Sequence, residues 1–494
     1  MRPPSQCAGC PDQPRAQFVP GVGPERLVRV MLVGETPAVE ECKYGIPFCG
    51  RSGRELDRQY LPLADLQRDD CWISNVRKCP LPGFANPNLT QARQCAERHL
   101  KLELRYHQPE YLVTLGAVAC HALFPECDLD LECGLPRPAR LWDWEGIHVP
   151  LYHPAAGLHS ADFMIPLQEN FKSLGQILTG RLVLPEDEYP DPVYGEVESA
   201  SQLQHLLSED PCGFGQLLAM DTEVLSLASK QPWCLSFSLH PGTGWMVDAT
   251  RQDLLAMLGR HLDRFRILFH NALFDLEVLA RVGLSIRRFD DSMLRAYHLG
   301  NLRQGLKWLA YRLCGMRMRS FEDVVYPHSR LKVREWLERA QAALGRDGCQ
   351  LPAEEKLPRG KYAGMSQTQA AIRRQADTLL RQAMHQEYMA HKREFRQLPE
   401  TRAAALVGRL AADMDATPAE GQEPTDPWRR WEGWDEPVQQ AIRQRMGASL
   451  PQPSIVHVPR PLAIRYACRD ADATLRIRPR LIERAVRLRQ EVRG

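Results

Sequence analysis

Asp221-Thr-Glu223 sets two carboxylates one residue apart at the end of the apolar run Leu217-Leu-Ala-Met220, and Tyr466 and Asp470 stand four apart in Tyr466-Ala-Cys-Arg-Asp470. Alternation along a strand sends Asp221 and Glu223 off one face. A spacing of four puts Tyr466 and Asp470 on one side of a helix. Asp275 follows Asn271, which reads as a helix N-cap, in His270-Asn-Ala-Leu-Phe-Asp275. Such carboxylates can converge on two Mg²⁺ (or Mn²⁺) ions that activate a water and stabilise a leaving oxygen, the chemistry of phosphodiester cleavage. The first half carries a different set: Cys7-Ala-Gly-Cys10, Gly34-Glu35-Thr-Pro37, Pro47-Phe48-Cys-Gly50, Asn75, Cys79, Cys95 and His153-Pro154. Cys7-x2-Cys10 is half of a zinc site, but no second Cys-x2-Cys completes it. Four thiolates at 7, 10, 79 and 95 suit an iron–sulfur cubane, and counting cysteines leaves scattered buried thiols equally open.

These residues need elements to hold them. Apolar strands are expected at 28–34, Cys71–Asn75, Tyr111–Leu115 and Ile147–Leu151, with helices between them and a closing helix near Leu167–Leu178. That alternation predicts an α/β domain with a parallel sheet, ligands lying at the strands' carboxyl ends, where Gly34, Asn75, Gly116 and His153 stand. The acidic, proline-rich stretch 184–196 breaks regular structure and is expected to link two separately folded units. Beyond it, Gln216–Asp221, Cys234–Leu239 and Gly244–Asp248 read as an antiparallel meander, and Phe265–Phe269 as a strand leading into a helix. From about Leu331 to Ala448 the chain is charged and helical in tendency, with Trp428, Trp431 and Trp434 among arginines. A solvated helical insertion is the plainer expectation there, and a DNA-guiding arm the alternative. The resulting boundaries are 1–183, a linker 184–200, a second domain built from 201–330 and 455–494, and an insertion 331–454.

Composition sets limits. The chain has 494 residues, too many for one core, with 44% hydrophobic and 25% charged residues. A net charge of +2 says little, because a local basic face can hide in a near-neutral total. No run approaches a membrane span, and Met1–Cys7 lacks the apolar stretch of a secretion signal. Fifteen cysteines without such a signal predict reduced thiols in a cytoplasmic setting, with no membrane partner.

In their order, the first set resembles the family 4 uracil-DNA glycosylases over residues 5 to 180, through Gly34-Glu35-Thr-Pro37, Gly45-Ile-Pro47-Phe48-Cys-Gly50-Arg-Ser-Gly53, Asn75, Cys79 and His153-Pro-Ala-Ala156. The resemblance implies a three-layer α/β/α fold and a four-iron, four-sulfur cluster on Cys7, Cys10, Cys79 and Cys95. It implies a pocket in which Phe48 stacks on a flipped uracil, Asn75 reads its edge and His153 donates to the carbonyl that gains charge. Glu35 is implied to position water or balance the cationic sugar, and Glu41 matches the family's second functional glutamate. Two positions depart: Ala38 replaces a usual glycine and is expected to tighten a turn, and Cys42 replaces a usual acid.

The second set resembles the tyrosine-type DEDD exonucleases, above all the proofreading domain of family A DNA polymerases, over residues 205 to 485 outside the insertion. Asp291-Ser-Met-Leu-Arg-Ala-Tyr297 and Leu306-Lys-Trp-Leu-Ala-Tyr311 add to the match. This implies an RNase H-like fold, Asp221, Glu223, Asp275 and Asp470 as metal ligands, and Tyr466 orienting the attacking water. Asp290, Asp291 and Asp472 are expected to serve local structure. Only 24 residues follow Asp470, which predicts a nuclease without a polymerase in the same chain. The expectation is therefore uracil excision joined to 3′–5′ exonuclease action on DNA. Two alternatives are a uracil- or single-strand-binding module that recruits a nuclease, and an accessory subunit of a separate DNA polymerase.

Overall fold

A computed structural model describes residues 4–10, 17–25, 27–81, 83, 87–208, 217–300, 303–345, isolated positions between 375 and 389, 399–418 and 424–491. Gln216 and the middle of the expected insertion lie outside these residues.

Each strand of the first domain is short, apolar and followed by a turn. The strands are β1 (Val30–Gly34), β2 (Cys71–Asn75), β3 (Tyr111–Leu115), β4 (Arg137–Leu141) and β5 (Trp144–Leu151). They lie in the order β2-β1-β3-β5-β4. The first four of that order are parallel, and β4 runs antiparallel at the edge. Met31, Leu32 and Val33 are fully buried, as expected of a sheet covered on both faces. Leu32 and Val113 pack with Phe171 of the Met164–Leu178 helix, while Met31 and Leu112 pack with Leu100 and Leu123 on the opposite side. The three-layer α/β/α arrangement is thus present, with Gly34, Asn75 and His153 at one end. Edge strand β4 was not foreseen, because three of its five residues are charged or exposed.

The second sheet contains β6 (Val193–Glu196), β7 (Leu217–Val224), β8 (Pro232–Ser238), β9 (Thr243–Asp248), β10 (Arg266–Phe269) and β11 (Phe289–Asp291). Its order is β11-β10-β7-β8-β9-β6. β8 is antiparallel to β7 and β9, the expected meander, and β10 is parallel to β7 and β11. This is the mixed sheet of an RNase H-like fold. The helix Arg460–Glu491 lies across it, packing Ala467 and Cys468 on Cys234 and Met246, and Leu475 on Leu217 and Leu268.

The stretch expected to be a linker is bound to this second unit. Arg476 pairs with Asp187 at 2.7 Å and covers the Tyr189 ring, while Arg480 pairs with Glu188 at 2.5 Å. Val193–Glu196 then joins the sheet as a parallel edge strand on β9. Proline and acid content hid this, because the acids are spent on arginines some 290 residues away in sequence.

The insertion is helical where described, beginning at Phe321 and including Pro399–Asp415, Pro427–Glu432 and Glu436–Met446. Trp428 and Trp431 are 6% and 5% exposed and form its core with Trp336, Leu410 and Ile442. Trp434 packs against the same core. The tryptophans therefore hold helices together instead of offering faces for bases.

Candidate active sites

The first site is built around one constrained peptide. Phe48 has φ 52°, a left-handed backbone that only strong surroundings keep in a bulky residue. Those surroundings are specific. The Phe48 N–H donates to Glu41 Oε1, and the Ala38 N–H donates to Glu41 Oε2 at 2.5 Å. Arg68 donates to the Phe48 carbonyl at 3.1 Å and to the Pro47 carbonyl at 2.5 Å. A Cβ on Gly53 would stand 1.7 Å from the Phe48 oxygen, and one on Gly34 would meet the Phe48 ring and Asn75 Oδ1. Both glycines are needed for close approach.

The result is a wall. The Phe48 and His153 rings stack with centroids 5.5 Å apart. Asn75 is 3% exposed, and its Nδ2 is buried without a hydrogen-bond partner. A buried unpaired amide donor costs free energy unless a ligand satisfies it. His153 Nδ1 accepts from the Ala155 N–H at 3.1 Å, which leaves the ring proton on Nε2. Burial, aided by His159, brings the His153 pKa down to about 4, so a neutral ring presents that proton at pH 7. Burial raises the carboxyl pKa of half-buried Glu35. Burial also raises that of Glu41, against the two backbone N–H groups it holds. Ala38 has φ −90°, ordinary extended backbone, so alanine fits there without the tightened turn expected from its side chain.

The four cysteines gather beside this pocket. Cys7 and Cys79 are buried, and none of the four is in a disulfide. Burial, with Cys95, Cys7 and Cys10 adding to it and Arg77 opposing, raises the Cys79 pKa to about 12. Burial likewise raises Cys7 and Cys95. The Lys78 N–H donates to Cys95 Sγ at 3.3 Å, and Cys7 Sγ lies 3.2 Å from His99 Nε2. Thiols that raise one another's pKa and receive N–H groups fit a shared cationic core that would take them as thiolates. The loop also reaches the pocket: Thr36 donates to the Cys79 carbonyl at 3.2 Å and the Arg77 N–H to the Glu35 carbonyl at 3.0 Å.

At the second site, β7 supplies Asp221 and Glu223 and the Arg460–Glu491 helix supplies Asp470. One carboxylate oxygen from each lies within 4.8 Å of the other two. Asp275, from the Ala272–Arg281 helix, stands outside that trio and is held at 2.7 Å by the Thr222 hydroxyl, yet its charge is felt by Asp221. Burial raises all four pKa values, with the neighbouring acids adding to it for Asp221 and Glu223: Asp221 well up, Glu223 to about 8, Asp275 to about 7 and Asp470 to about 6. Burial, then Asp470 and Glu223, also raises the Tyr466 hydroxyl. Crowded carboxylates of this kind, three half-buried and Asp275 buried, fit divalent cations, which would replace protons and relieve repulsion.

Lys307 was not singled out, although it lies in the Leu306–Tyr311 motif. Its Nζ sits over the Tyr466 ring, 5.4 Å from the centroid, and its charge favours ionisation of Asp221, Glu223 and Asp470. Asn271 stands at the helix start but is left-handed, φ 72°, and its side chain caps nothing. Asp291 does that work instead, accepting from the Ala272 N–H at 2.9 Å and from the Met293 N–H at 2.8 Å. Asp290 pairs with Arg295 and Arg478, and Asp472 with Arg476 and Tyr194. These three acids serve structure, as expected.

Two family profiles match the chain: "Uracil DNA glycosylase superfamily" over residues 20–172 and "3'-5' exonuclease" over residues 194–342. The type-4 uracil-DNA glycosylase of Archaeoglobus fulgidus is 30% identical over 168 residues, 33% of this chain and 83% of that protein. Its counterpart from Pyrobaculum aerophilum is 31% identical over 199 residues, 38% of this chain and 93% of that protein. Among solved structures, Brucella melitensis NrnC is 15% identical over 44% of this chain and 90% of its own, with a TM-score of 0.21, too loose a likeness to carry an argument.

Proposed function

Since this chain belongs, through its first domain, to the type-4 uracil-DNA glycosylase family, we propose that its Asn75 pocket takes a uracil flipped out of DNA and that its two sites work in one molecule. The chain is a bifunctional DNA-processing enzyme, a uracil-DNA glycosylase joined to a 3′–5′ exonuclease.

In the first site Phe48 stacks on the base, and the orphan Asn75 amide donates to a uracil carbonyl while its oxygen accepts the ring N–H. Cytosine presents the reverse pattern and leaves both groups unpaired. His153 donates from Nε2 to the carbonyl that gains negative charge as the glycosidic bond breaks, without first losing a proton. Glu35 positions water or balances the sugar cation. Glu41 is read here as a positioning residue: both its oxygens are occupied by the backbone that holds Phe48. Cys7, Cys10, Cys79 and Cys95 would hold a four-iron, four-sulfur cluster, which supplies a structural tie between the N-terminus and the loop after Asn75.

In the second site Asp221, Glu223, Asp275 and Asp470 would hold two Mg²⁺ or Mn²⁺ ions, which supply an activated water and charge stabilisation at the leaving oxygen. Tyr466 orients the nucleophile, and Lys307 balances the carboxylates beside it. The substrate is DNA with uracil or a free 3′ end. A separate polymerase partner and a bacterial or phage setting belong to this reading only as context.

The single observation that carries the glycosylase assignment is the buried, unpartnered Asn75 Nδ2 in the pocket walled by the stacked Phe48 and His153 rings. One uracil-containing single-stranded oligonucleotide, assayed with Mg²⁺ and with EDTA, tests the whole reading. Free uracil should appear in both, and strand shortening only with Mg²⁺. Binding without uracil release would favour the recruitment alternative.

A further inference from the structure

The segment from Arg303 to Arg319 belongs by sequence to the nuclease, yet its arginines reach two places. Arg317 and Arg319 line a cavity of about 230 Å³ whose opposite wall is one stripe of the C-terminal helix: Arg465, Tyr466, Arg469 and Asp470. Four arginines therefore line the cavity beside the tyrosine and one ligand of the carboxylate cluster. Glu322, on the insertion side, is a further acid felt by Tyr466, after Asp470, Glu223 and Asp221. The arginines are only partly engaged. Arg319 donates to the Asp323 carbonyl at 2.9 Å, and Arg469 donates from Nη2 to the Arg317 carbonyl at 2.6 Å while its Nε is buried without a partner. Arg465 is exposed, and no carboxylate among the described residues holds it.

Arg317 also reaches the first domain. Its guanidinium pairs with Glu132, a 2% exposed carboxylate that also binds Arg137 at 3.0 Å. Close by, Arg312 donates to the Cys133 carbonyl, and Arg303 donates to the Tyr152 hydroxyl at 2.5 Å and the Asp130 carbonyl at 3.2 Å. One edge of the glycosylase domain thus anchors the segment that roofs the nuclease cavity.

We propose that this cavity is a subsite for a backbone phosphate of the strand being shortened, one other than the scissile phosphate, and that the glycosylase domain completes it by holding Arg317 through Glu132. Arginine forks suit phosphate oxygens. The volume falls below the roughly 300 Å³ where whole-ligand pockets begin, which suits a phosphate with its sugar. The inference rests on the exonuclease reading above. Arg317 and Arg465 bind substrate here, and Glu132 is a positioning residue.

The test uses the full chain and single-stranded oligonucleotides, each carrying one neutral methylphosphonate at one of the linkages next to the scissile bond. For the unaltered chain, one linkage position should raise KM for shortening by about tenfold or more, the scale of losing a charge-assisted hydrogen bond. Arg465→Ala and Arg317→Ala should raise KM for the fully charged strand by a similar factor and abolish sensitivity at that linkage. Glu132→Gln should reproduce the Arg317→Ala pattern while uracil release, which reports that its own domain is folded, stays within about twofold. The subsite is overturned if no linkage is sensitive, or if the arginine variants keep the sensitivity of the unaltered chain. The domain coupling is overturned if Glu132→Gln releases uracil normally and leaves KM and linkage sensitivity unchanged. An unaltered chain that shortens no strand in Mg²⁺ overturns the exonuclease reading itself, and this subsite with it.

Discussion

The two active sites solve opposite electrostatic problems. Around Asn75 the chain assembles neutral or already paired groups: a His153 ring stripped of its charge by burial, an amide with nothing to bond, and a Glu41 carboxylate absorbed by two backbone N–H groups. Around Asp221 it crowds acids that raise one another's pKa. The first arrangement meets its base with protein groups alone. The second is incomplete until cations arrive. Preorganised donors suit a reaction in which charge develops on a leaving base, and unrelieved carboxylates suit one in which ions carry the charge.

The sharpest way to break that contrast is to remove an acid. Asp221→Ala should lower strand shortening by about a thousandfold or more, because residues acting as one unit fail together. Uracil release by the same variant should stay normal, and a parallel fall in both would refute independent chemistry. Tyr466→Phe should be milder, since both ions can still bind.

Next in size are Glu35→Gln and His153→Ala, each expected to slow uracil release about a hundredfold while shortening persists. Single-turnover base release in EDTA would show this. Untouched release in both variants would mean that the pocket residues are misassigned.

The contrast should also appear against pH. Carboxyl pKa values of about 6, 7 and 8 on Asp470, Asp275 and Glu223 mean that the folded chain holds protons the unfolded chain has lost. Without metal, stability should therefore fall as pH rises from the ordinary carboxylate range through 8. Divalent ions compete with those protons, so Mg²⁺ should raise Tm more at pH 8 than at pH 6, and shortening should climb across that interval. His153 stays neutral throughout, so uracil release should change by less than about threefold. Equal pH profiles for the two activities would contradict the difference drawn here.

The smallest effect concerns the join between the domains. Residues 184–196 are bolted to the nuclease by Asp187, Glu188 and β6. A cut should then fall before residue 184: fragment 1–183 should keep its uracil release, whereas a nuclease fragment starting at 200 loses an edge strand. Fragment 184–494 should fold yet shorten DNA a few-fold less efficiently, having lost the dock for Arg303, Arg312 and Arg317. Thermal melts and KM values of the two nuclease fragments would check this.

Much of both sites was legible in the sequence because their geometry is local. Asp221 and Glu223 share a face by the period of a strand, Tyr466 and Asp470 by the period of a helix, and Gly34 and Asn75 end apolar runs whose pairing follows from burial. The chemical types of the pocket and cluster residues, and their order, were likewise set by the chain itself. What only the tertiary structure decided depends on partners far apart in sequence. The acids of the proline-rich stretch bind arginines of the last helix. The tryptophans of the insertion turn inward because four helices meet there. Asp291, not Asn271, caps the helix bearing Asp275. Glu41 spends its charge on the Phe48 backbone, and Glu132 of one domain holds Arg317 of the other. Periodicity fixes which face a side chain takes, but the neighbour that decides whether its charge is free or spent is chosen only when distant segments pack.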